Sequence, residues 1–261
     1  MNEPCGRISP PPLPLPLKTC LFFKMDGQTP CSWSFFARNM NDRYRNTCSN
    51  SIVAGGGNSI IYLLSNGDPN APVSFFEDRW GGHLDMGQIN MLMAWTRKIW
   101  ASGGAAIPCF FCDEHDSAHI RNDWSAHDRA IGALVTLLRP YVPAFCIGLE
   151  SSEYFNEDQH NRLAAIIRHY APDRYVVTHL QKLPAGGMPA VDAILYEHSW
   201  HPGEGDRHSP EEVVSEVQDK QAAWKKPFWP VEYNTNVEGR PIIKQSNALI
   251  AAGFGCGGPL R

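Results

Sequence analysis

The sequence lacks the marks of a membrane protein or of an exported precursor. No apolar run approaches the ~20 residues that a helix needs to cross a bilayer. The proline-rich N-terminus has no continuous apolar core of the kind found in signal peptides. We therefore expect an extended, polyproline-like arm over residues 1–19, followed by one domain over residues 20–261. Cytoplasmic, phage-associated and secreted settings all fit this sequence.

Charge and cysteine are also sparse. The formal net charge of −4 gives no reason to expect nucleic acid or an anionic membrane as a partner. Eight cysteines in 261 residues are too few for a disulfide scaffold. Cys109 and Cys112 have CxxC spacing, but they lie in an apolar run that reads as a strand, where this separation puts the thiols on opposite faces. We expect buried cysteines and no zinc site.

Several nucleotide and metal motifs are missing. The glycines at 55–57 lack the lysine of a phosphate-binding loop and precede a strand candidate instead of following one. No GxGxxG follows the first strand candidate, which argues against an open dinucleotide-binding sheet. No HExxH occurs, and the first strand has no HxH pair. No cofactor and no metal are therefore expected.

What the sequence does contain is a regular alternation of apolar strands and amphipathic helices. Eight strand candidates are centred near Trp33, Ile60, Ile107, Phe145, Tyr175, Ile194, Phe228 and Phe254. Helices are predicted over about 42–54, 85–101, 125–138, 156–169, 209–224 and 244–252. Strict alternation predicts parallel strands, and eight repeats in 261 residues predict an α/β fold of the (β/α)8 barrel type. The sequence stops at Arg261, so the eighth helix is expected to be short or missing.

Two of the predicted strands end on a glutamate. Residues 145–150 read FCIGLE, and residues 227–234 read PFWPVEYN. With a period of two, the bulky residues of the first strand, Leu149 included, face the helices, and the small ones lead to Glu150 on the axis face. Charged groups at the C-terminal ends of barrel strands are where such enzymes hold their chemistry. Glu150 would end the fourth strand and Glu232 the seventh.

This arrangement resembles the retaining glycoside hydrolases of the cellulase and β-glycosidase clan, which are (β/α)8 barrels. The resemblance spans residues 33–256, and further matches are Gly57-Asn58, Trp80, His198 and Trp200. It implies that Glu150 is the general acid/base and Glu232 the nucleophile. Cleavage with retention needs one carboxyl to donate a proton and a second, about 5 Å away, to attack the anomeric carbon.

Other polar and aromatic residues at predicted strand ends are candidates for binding the substrate, an oligo- or polysaccharide. These are Arg38, Asn66, Asp113, His115, Tyr196, His198 and Trp200. Arg38, with Tyr196 or His198, would hydrogen-bond Glu232 and keep it ionised. Trp200 is the candidate sugar platform, because Trp229 has the parity of the outward face.

Some positions depart from the clan's pattern and leave alternatives open. Leu149 stands where much of the clan has asparagine, and Glu153 is an alternative proton donor. A metal-dependent barrel hydrolase would instead draw ligands from His115, Asp116, His119, His198 and His201. A catalytically inactive barrel that only binds glycans is the third interpretation. His179 is expected at the surface or as a cap, and the oligomeric state, the sugar and the linkage stay open.

Overall fold

The computed structural model describes ten internal stretches of the chain and one isolated residue. They are residues 33–37, 59–64, 86–101, 105–111, 124–180, 182–184, 187–196, 208–230, 243–252, 254 and 256–259. The predicted N-terminal arm and the helix expected at 42–54 lie outside these residues.

Eight strands form one sheet in which every hydrogen-bonded pair is parallel. In chain order they are β1 (Trp33–Ala37), β2 (Ser59–Leu63), β3 (Ala105–Phe111), β4 (Ala144–Gly148), β5 (Tyr175–Leu180), β6 (Ala193–Tyr196), β7 (Phe228–Pro230) and β8 (Cys256–Pro259). Each strand pairs with the next one in sequence, and β8 pairs with β1. Cα atoms of β7 and β8 come within 8 Å of each other, so the two ends of the sheet meet. The predicted eightfold α/β barrel is confirmed.

Five helices fall within the described residues. They are α1 (Met86–Ala101), α2 (Trp124–Leu138), α3 (Glu157–Tyr170), α4 (Pro210–Trp224) and α5 (Ile243–Ala251), each close to its predicted bounds. Capping boxes begin α3 at Asn156 and α4 at Ser209. In each, the cap side chain accepts from the N–H of the third helical residue, and the side chain of that residue accepts from the main-chain N–H of the cap. No helix in the described part of the chain is long and apolar enough to cross a membrane.

The core has two layers that follow the period-two alternation of the strands. The inner layer fills the barrel with small and aliphatic side chains: Ile61, Ile107, Cys109, Ala144, Cys146, Leu149, Val177, Ala193 and Leu195. The outer layer lies between the strands and the helices and contains Phe110, Phe145, Ile147, Val176 and Ile194 among many others. Cys109 and Cys146, neighbours in register on β3 and β4, are buried, as predicted for cysteines in these runs.

Two strand ends differ from their predictions. β4 ends at Gly148, and Leu149 turns into the inner layer instead of facing the helices. The alternation stops there because the chain leaves the sheet in a turn. β8 begins at Cys256, whereas the last strand is predicted over residues 253–257; Phe254 precedes β8 and packs in the outer layer.

Polar contacts at the N-terminal ends of β5 and β6 tie the sheet to α3. The carboxylate of Asp192 accepts from Nη2 of Arg168 at 2.6 Å and from the main-chain N–H of Val176 at 2.8 Å. The Arg168 guanidinium also donates to the carbonyl oxygen of Ala190 at 2.9 and 3.1 Å. This end of the barrel lies opposite the C-terminal strand ends, so these contacts hold the scaffold and do not reach a site there.

Candidate active site

Glu150 lies just beyond the C-terminal end of β4 in a left-handed backbone conformation, with φ 48° and ψ 34°. This conformation costs an L-amino acid roughly 1–2 kcal/mol relative to the right-handed region. Among the described residues the only other non-glycine residue with positive φ is Lys225, which caps the C-terminus of α4, where the conformation is common. Glu150 precedes the 3-10 turn Ser151–Glu153 at its N-cap position, where the backbone is typically extended, and no side-chain cap bond accompanies it. Strained backbone of this kind is concentrated at functional sites.

Hydrogen bonds fix the main chain on both sides of Glu150. The N–H of Leu149 donates to the carbonyl of Phe111 at 2.9 Å, and the carbonyl of Leu149 accepts from the Tyr154 hydroxyl at 2.6 Å. The N–H of Glu150 donates to Nδ1 of His179 at 2.8 Å, and its carbonyl accepts from the N–H of Glu153 at 2.9 Å. The neighbouring strand β3 therefore holds Leu149, and β5 and the following 3-10 turn (Ser151–Glu153) hold Glu150.

Ser151, the next residue, is the centre of a buried polar network. Its Oγ lies 2.7 Å from Oγ1 of Thr178, 2.8 Å from Nε2 of His160 and 2.9 Å from the carbonyl oxygen of His179. His160 in turn donates from Nδ1 to the carbonyl of Asn156, the cap of α3, at 2.8 Å. A serine bonded to a histidine is also the arrangement of a nucleophile and its base. Here the serine side chain is fully buried, so the network anchors the turn to α3 and β5.

Both histidines of this cluster are neutral. Burial lowers the pKa of His179 from 6.5 to about 3. Burial also lowers the pKa of His160 to about 4, although its bond to the Asn156 carbonyl acts in the opposite direction. Because Nδ1 of His179 accepts from Glu150, its proton is on Nε2.

The structure places the predicted site residues unevenly. Glu150 has the predicted place at the end of β4, and the alternative donor Glu153 is exposed on the 3-10 turn. The other predicted site residues lie outside the described residues and stay predictions: Glu232, Arg38, Asn66, Asp113, His115, His198 and Trp200. The candidate ligands of the metal alternative, Asp116, His119 and His201 included, lie outside them as well.

The structure places Tyr196 between the sheet and the helices, and its predicted role in substrate binding stays a prediction. Its ring belongs to the outer layer and packs edge-on against Phe228, with ring centroids 5.6 Å apart. Its hydroxyl donates to the carboxylate of Glu216 on α4 at 3.2 Å. Tyr196 shares the parity of Ile194, which also faces the helices. Its position is explained by packing.

Sequence reasoning missed the residues that surround Glu150. His179 is fully buried and not at the surface, which corrects its prediction. The signal was present in β5, because period two places His179 on the axis face with Val177. Tyr154, Ser151 and His160 gave no such signal, since their contacts depend on how the turn after β4 folds back.

Comparison with known proteins gives a match in structure and none in sequence. No protein-family model matches the chain. No curated protein matches it significantly. Among solved structures, an endo-1,4-β-mannanase from Eisenia fetida superimposes with a TM-score of 0.64 at 13% identity, over 91% of this chain and 86% of that one. A glycoside hydrolase family 5 enzyme from Prevotella bryantii B14 does so with a TM-score of 0.62 at 9% identity, over 89% of each chain.

The chain has the fold of the family 5 glycoside hydrolase barrels. An exo-β-1,4-mannosidase from an Opitutaceae bacterium gives a TM-score of 0.59 at 13% identity, over 89% of this chain. The chain spans 51% of the length of that mannosidase. The resemblance to the clan first noted in the two glutamates therefore extends to the barrel as a whole.

Proposed function

We propose that this protein is a glycoside hydrolase that cleaves a β-linked glycan with retention of configuration. Glu150 is the general acid/base and Glu232 the nucleophile. The observation that carries the proposal is the conformation of Glu150. A carboxylate follows the fourth strand of a family 5 barrel fold on a left-handed backbone, anchored from two neighbouring strands. A stabilising structural role would not require this backbone strain, whereas a catalytic role requires the carboxylate to be held in a fixed position.

The reaction consists of two displacements at the same carbon. In the first, Glu232 attacks the anomeric carbon while Glu150 gives its proton to the departing glycosidic oxygen. In the second, Glu150 takes a proton from water as that water displaces Glu232 from the sugar. Each step moves one proton to or from Glu150, so its carboxyl must keep one position relative to the bond that breaks. The hydrogen bonds at Leu149, Glu150 and Ser151 supply that fixed position.

The proposed substrate is a β-1,4-linked plant cell-wall glycan such as mannan or xyloglucan. The support is the set of structural neighbours, which includes mannanases and mannosidases and the Prevotella bryantii enzyme with a xyloglucan tetradecasaccharide bound. All are barrels of this type at low identity, so they favour a class of β-linked substrate and not one sugar.

The test combines turnover with the stereochemistry of the product. Mannohexaose, cellohexaose and a xyloglucan oligosaccharide are incubated with the wild-type chain, and the first anomer released is followed by proton NMR. We expect hydrolysis with the β-anomer formed first. Glu150→Gln should reduce turnover by roughly 10²-fold or more, the usual contribution of general acid–base catalysis. Glu232→Gln removes the nucleophile and should reduce turnover at least as much. EDTA should have no effect.

Glu153→Gln is the matched control, since it removes a nearby carboxylate from the exposed 3-10 turn. If Glu153→Gln lost activity while Glu150→Gln remained active, Glu153 would be the proton donor in place of Glu150. Loss with EDTA would favour the metal-dependent hydrolase, and oligosaccharide binding without any turnover would favour the glycan-binding barrel. Formation of the α-anomer first would contradict retention.

A further inference from the structure

We infer that His179 is a positioning residue for Glu150: its imidazole accepts the Glu150 N–H and so keeps the proposed proton donor in its left-handed conformation. The inference concerns a β5 side chain to which the proposed mechanism assigns no chemistry. Its effect on turnover rests on the proposed function, whereas its effect on the backbone of Glu150 does not.

The first argument is geometric. Glu150 turns its N–H away from the sheet ladder, because β4 has ended at Gly148. Nδ1 of His179, 2.8 Å away, accepts this N–H from the neighbouring strand. The imidazole itself is fully buried, so its ring cannot swing away from Glu150 into solvent. Without an acceptor, the part-buried N–H of Glu150 would lose a hydrogen bond, and the strained conformation would lose a partner that stabilises it.

The second argument is that the same residue holds the turn twice. The side chain of His179 accepts from the N–H of Glu150. Its main-chain carbonyl accepts from the hydroxyl of the next residue, Ser151. Thr178 adds a contact to the same serine hydroxyl. The end of β5 therefore specifies the path of residues 150 and 151, and the titratable group packed against this serine from α3 is His160.

The third argument concerns the choice of histidine. The acceptor for a main-chain N–H beside the proposed proton donor could be a carboxylate. A second negative charge there would, however, disfavour the ionised form of the donor and shift its pKa. A neutral imidazole accepts through Nδ1 and adds no charge. Burial favours this state, because it lowers the pKa of His179 to about 3. The residue type thus matches a requirement to orient Glu150 without altering the charge near it.

The experiment compares two variants of similar size. In His179→Asn the amide oxygen can take the place of Nδ1 as acceptor, whereas His179→Leu fills space but accepts nothing. Turnover is measured on a β-linked oligosaccharide and on the matching 2,4-dinitrophenyl β-glycoside. Dinitrophenolate leaves without a proton, so a displaced proton donor slows release of the sugar far more than release of the phenol.

We expect His179→Leu to lose roughly 10-fold or more of kcat on the oligosaccharide, a part of the 10²–10⁴-fold that general acid catalysis contributes, and to lose far less on the dinitrophenyl substrate. His179→Asn should restore most of the oligosaccharide activity. Crystal structures of both variants give a readout that does not depend on activity: φ of Glu150 should stay near 48° with Asn and leave the left-handed region with Leu.

Two failures are distinguishable. Equal losses of His179→Leu on both substrates, or an unchanged φ of Glu150 in that variant, would overturn the role of His179 and leave the proposed function standing. Full activity of Glu150→Gln would overturn the proposed function, and the value of φ in His179→Leu would still decide whether His179 positions the residue.

Discussion

The hydroxyl of Tyr154 lies directly over Gly148. It donates to the carbonyl of Leu149 at 2.6 Å, and a methyl group on Gly148 would meet the same oxygen atom at 2.5 Å. Glycine is therefore required at the end of β4 by close approach, and the phenol holds the carbonyl that precedes Glu150. The pair connects a packing constraint to the position of the proposed proton donor.

Gly148→Ala should destabilise the protein by about 1–3 kcal/mol, the usual cost of overpacking, because the new methyl displaces the hydroxyl of Tyr154. Tyr154→Phe alone should cost about 1 kcal/mol for the lost hydrogen bond. In the double variant the oxygen is gone, so the loss should be smaller than the sum of the single losses. Urea unfolding of the four proteins measures this coupling, and strict additivity would contradict it.

At position 150, glycine should give a more stable protein than alanine, by about 1 kcal/mol, because the backbone is left-handed. Both variants, Glu150→Gly and Glu150→Ala, lack the carboxylate, so the difference between their free energies of unfolding reports the cost of the left-handed backbone. The same order is expected for Lys225→Gly and Lys225→Ala at the end of α4. Ala165→Gly, at an exposed position in the middle of α3, is the control with the opposite sign, because glycine weakens a helix interior by about 1 kcal/mol.

Stability should fall as the pH decreases below 6.5. The pKa values of His179 and His160 are lowered to about 3 and about 4, so the unfolded chain binds protons below pH 6.5 that the folded chain cannot. Each histidine should contribute a slope of about 1.4 kcal/mol per pH unit, present until the pH approaches its folded pKa.

Urea unfolding at pH 7, 6 and 5 tests this slope against a variant. His179→Asn should reduce it by about 1.4 kcal/mol per pH unit, the share of one histidine. Ser209→Ala is the control: it lowers stability by about 1 kcal/mol through the cap of α4 and changes no titrating group. A wild-type free energy of unfolding that is constant between pH 7 and pH 5 would rule out the buried, neutral histidines.

Arg168→Ala should lower stability by about 1–2 kcal/mol, because Asp192 and the Ala190 carbonyl lose their charged donor. The change lies at the N-terminal ends of β5 and β6, remote from Glu150, so kcat and KM should stay at wild-type values at temperatures where the variant is folded. Arg168→Lys retains the charge but not the bidentate contact, so its stability should lie between those of the wild type and of Arg168→Ala. A specific fall in kcat would show that this end of the barrel couples to the site.

Much of the fold could be predicted because it depends on local patterns. Asn156 and Ser209 are caps followed by Gln159 and Glu212, and the helices begin where those side chains close the capping boxes. The buried runs at β3 and β4 could be predicted as strands because their apolar content and their alternation with period two are visible within a few residues. Where a strand leaves the sheet is decided by its neighbours, and the prediction for Leu149 failed at that point.

The candidate site was predicted only in part. Glu150 was found because a carboxylate that ends an apolar strand is visible in the sequence. Tyr196 also ends a strand, but its parity turns the side chain toward Glu216 on α4, and a strand-end position alone does not show this. His179 is buried instead of lying at the surface or at a cap, and its shared parity with Val177 is the signal in the sequence for the axis face.

The sequence by itself determined the alternation of strands and helices, the parallel barrel that this alternation requires, and the carboxylate at the end of β4. These follow from periodicity and capping, which act between residues near each other in the chain. Only the tertiary structure decided that Glu150 takes a left-handed backbone and that His179, Tyr154 and Ser151 hold its surroundings. Those contacts join residues of different strands and of a turn, and their distances exist only once β3, β4 and β5 lie side by side.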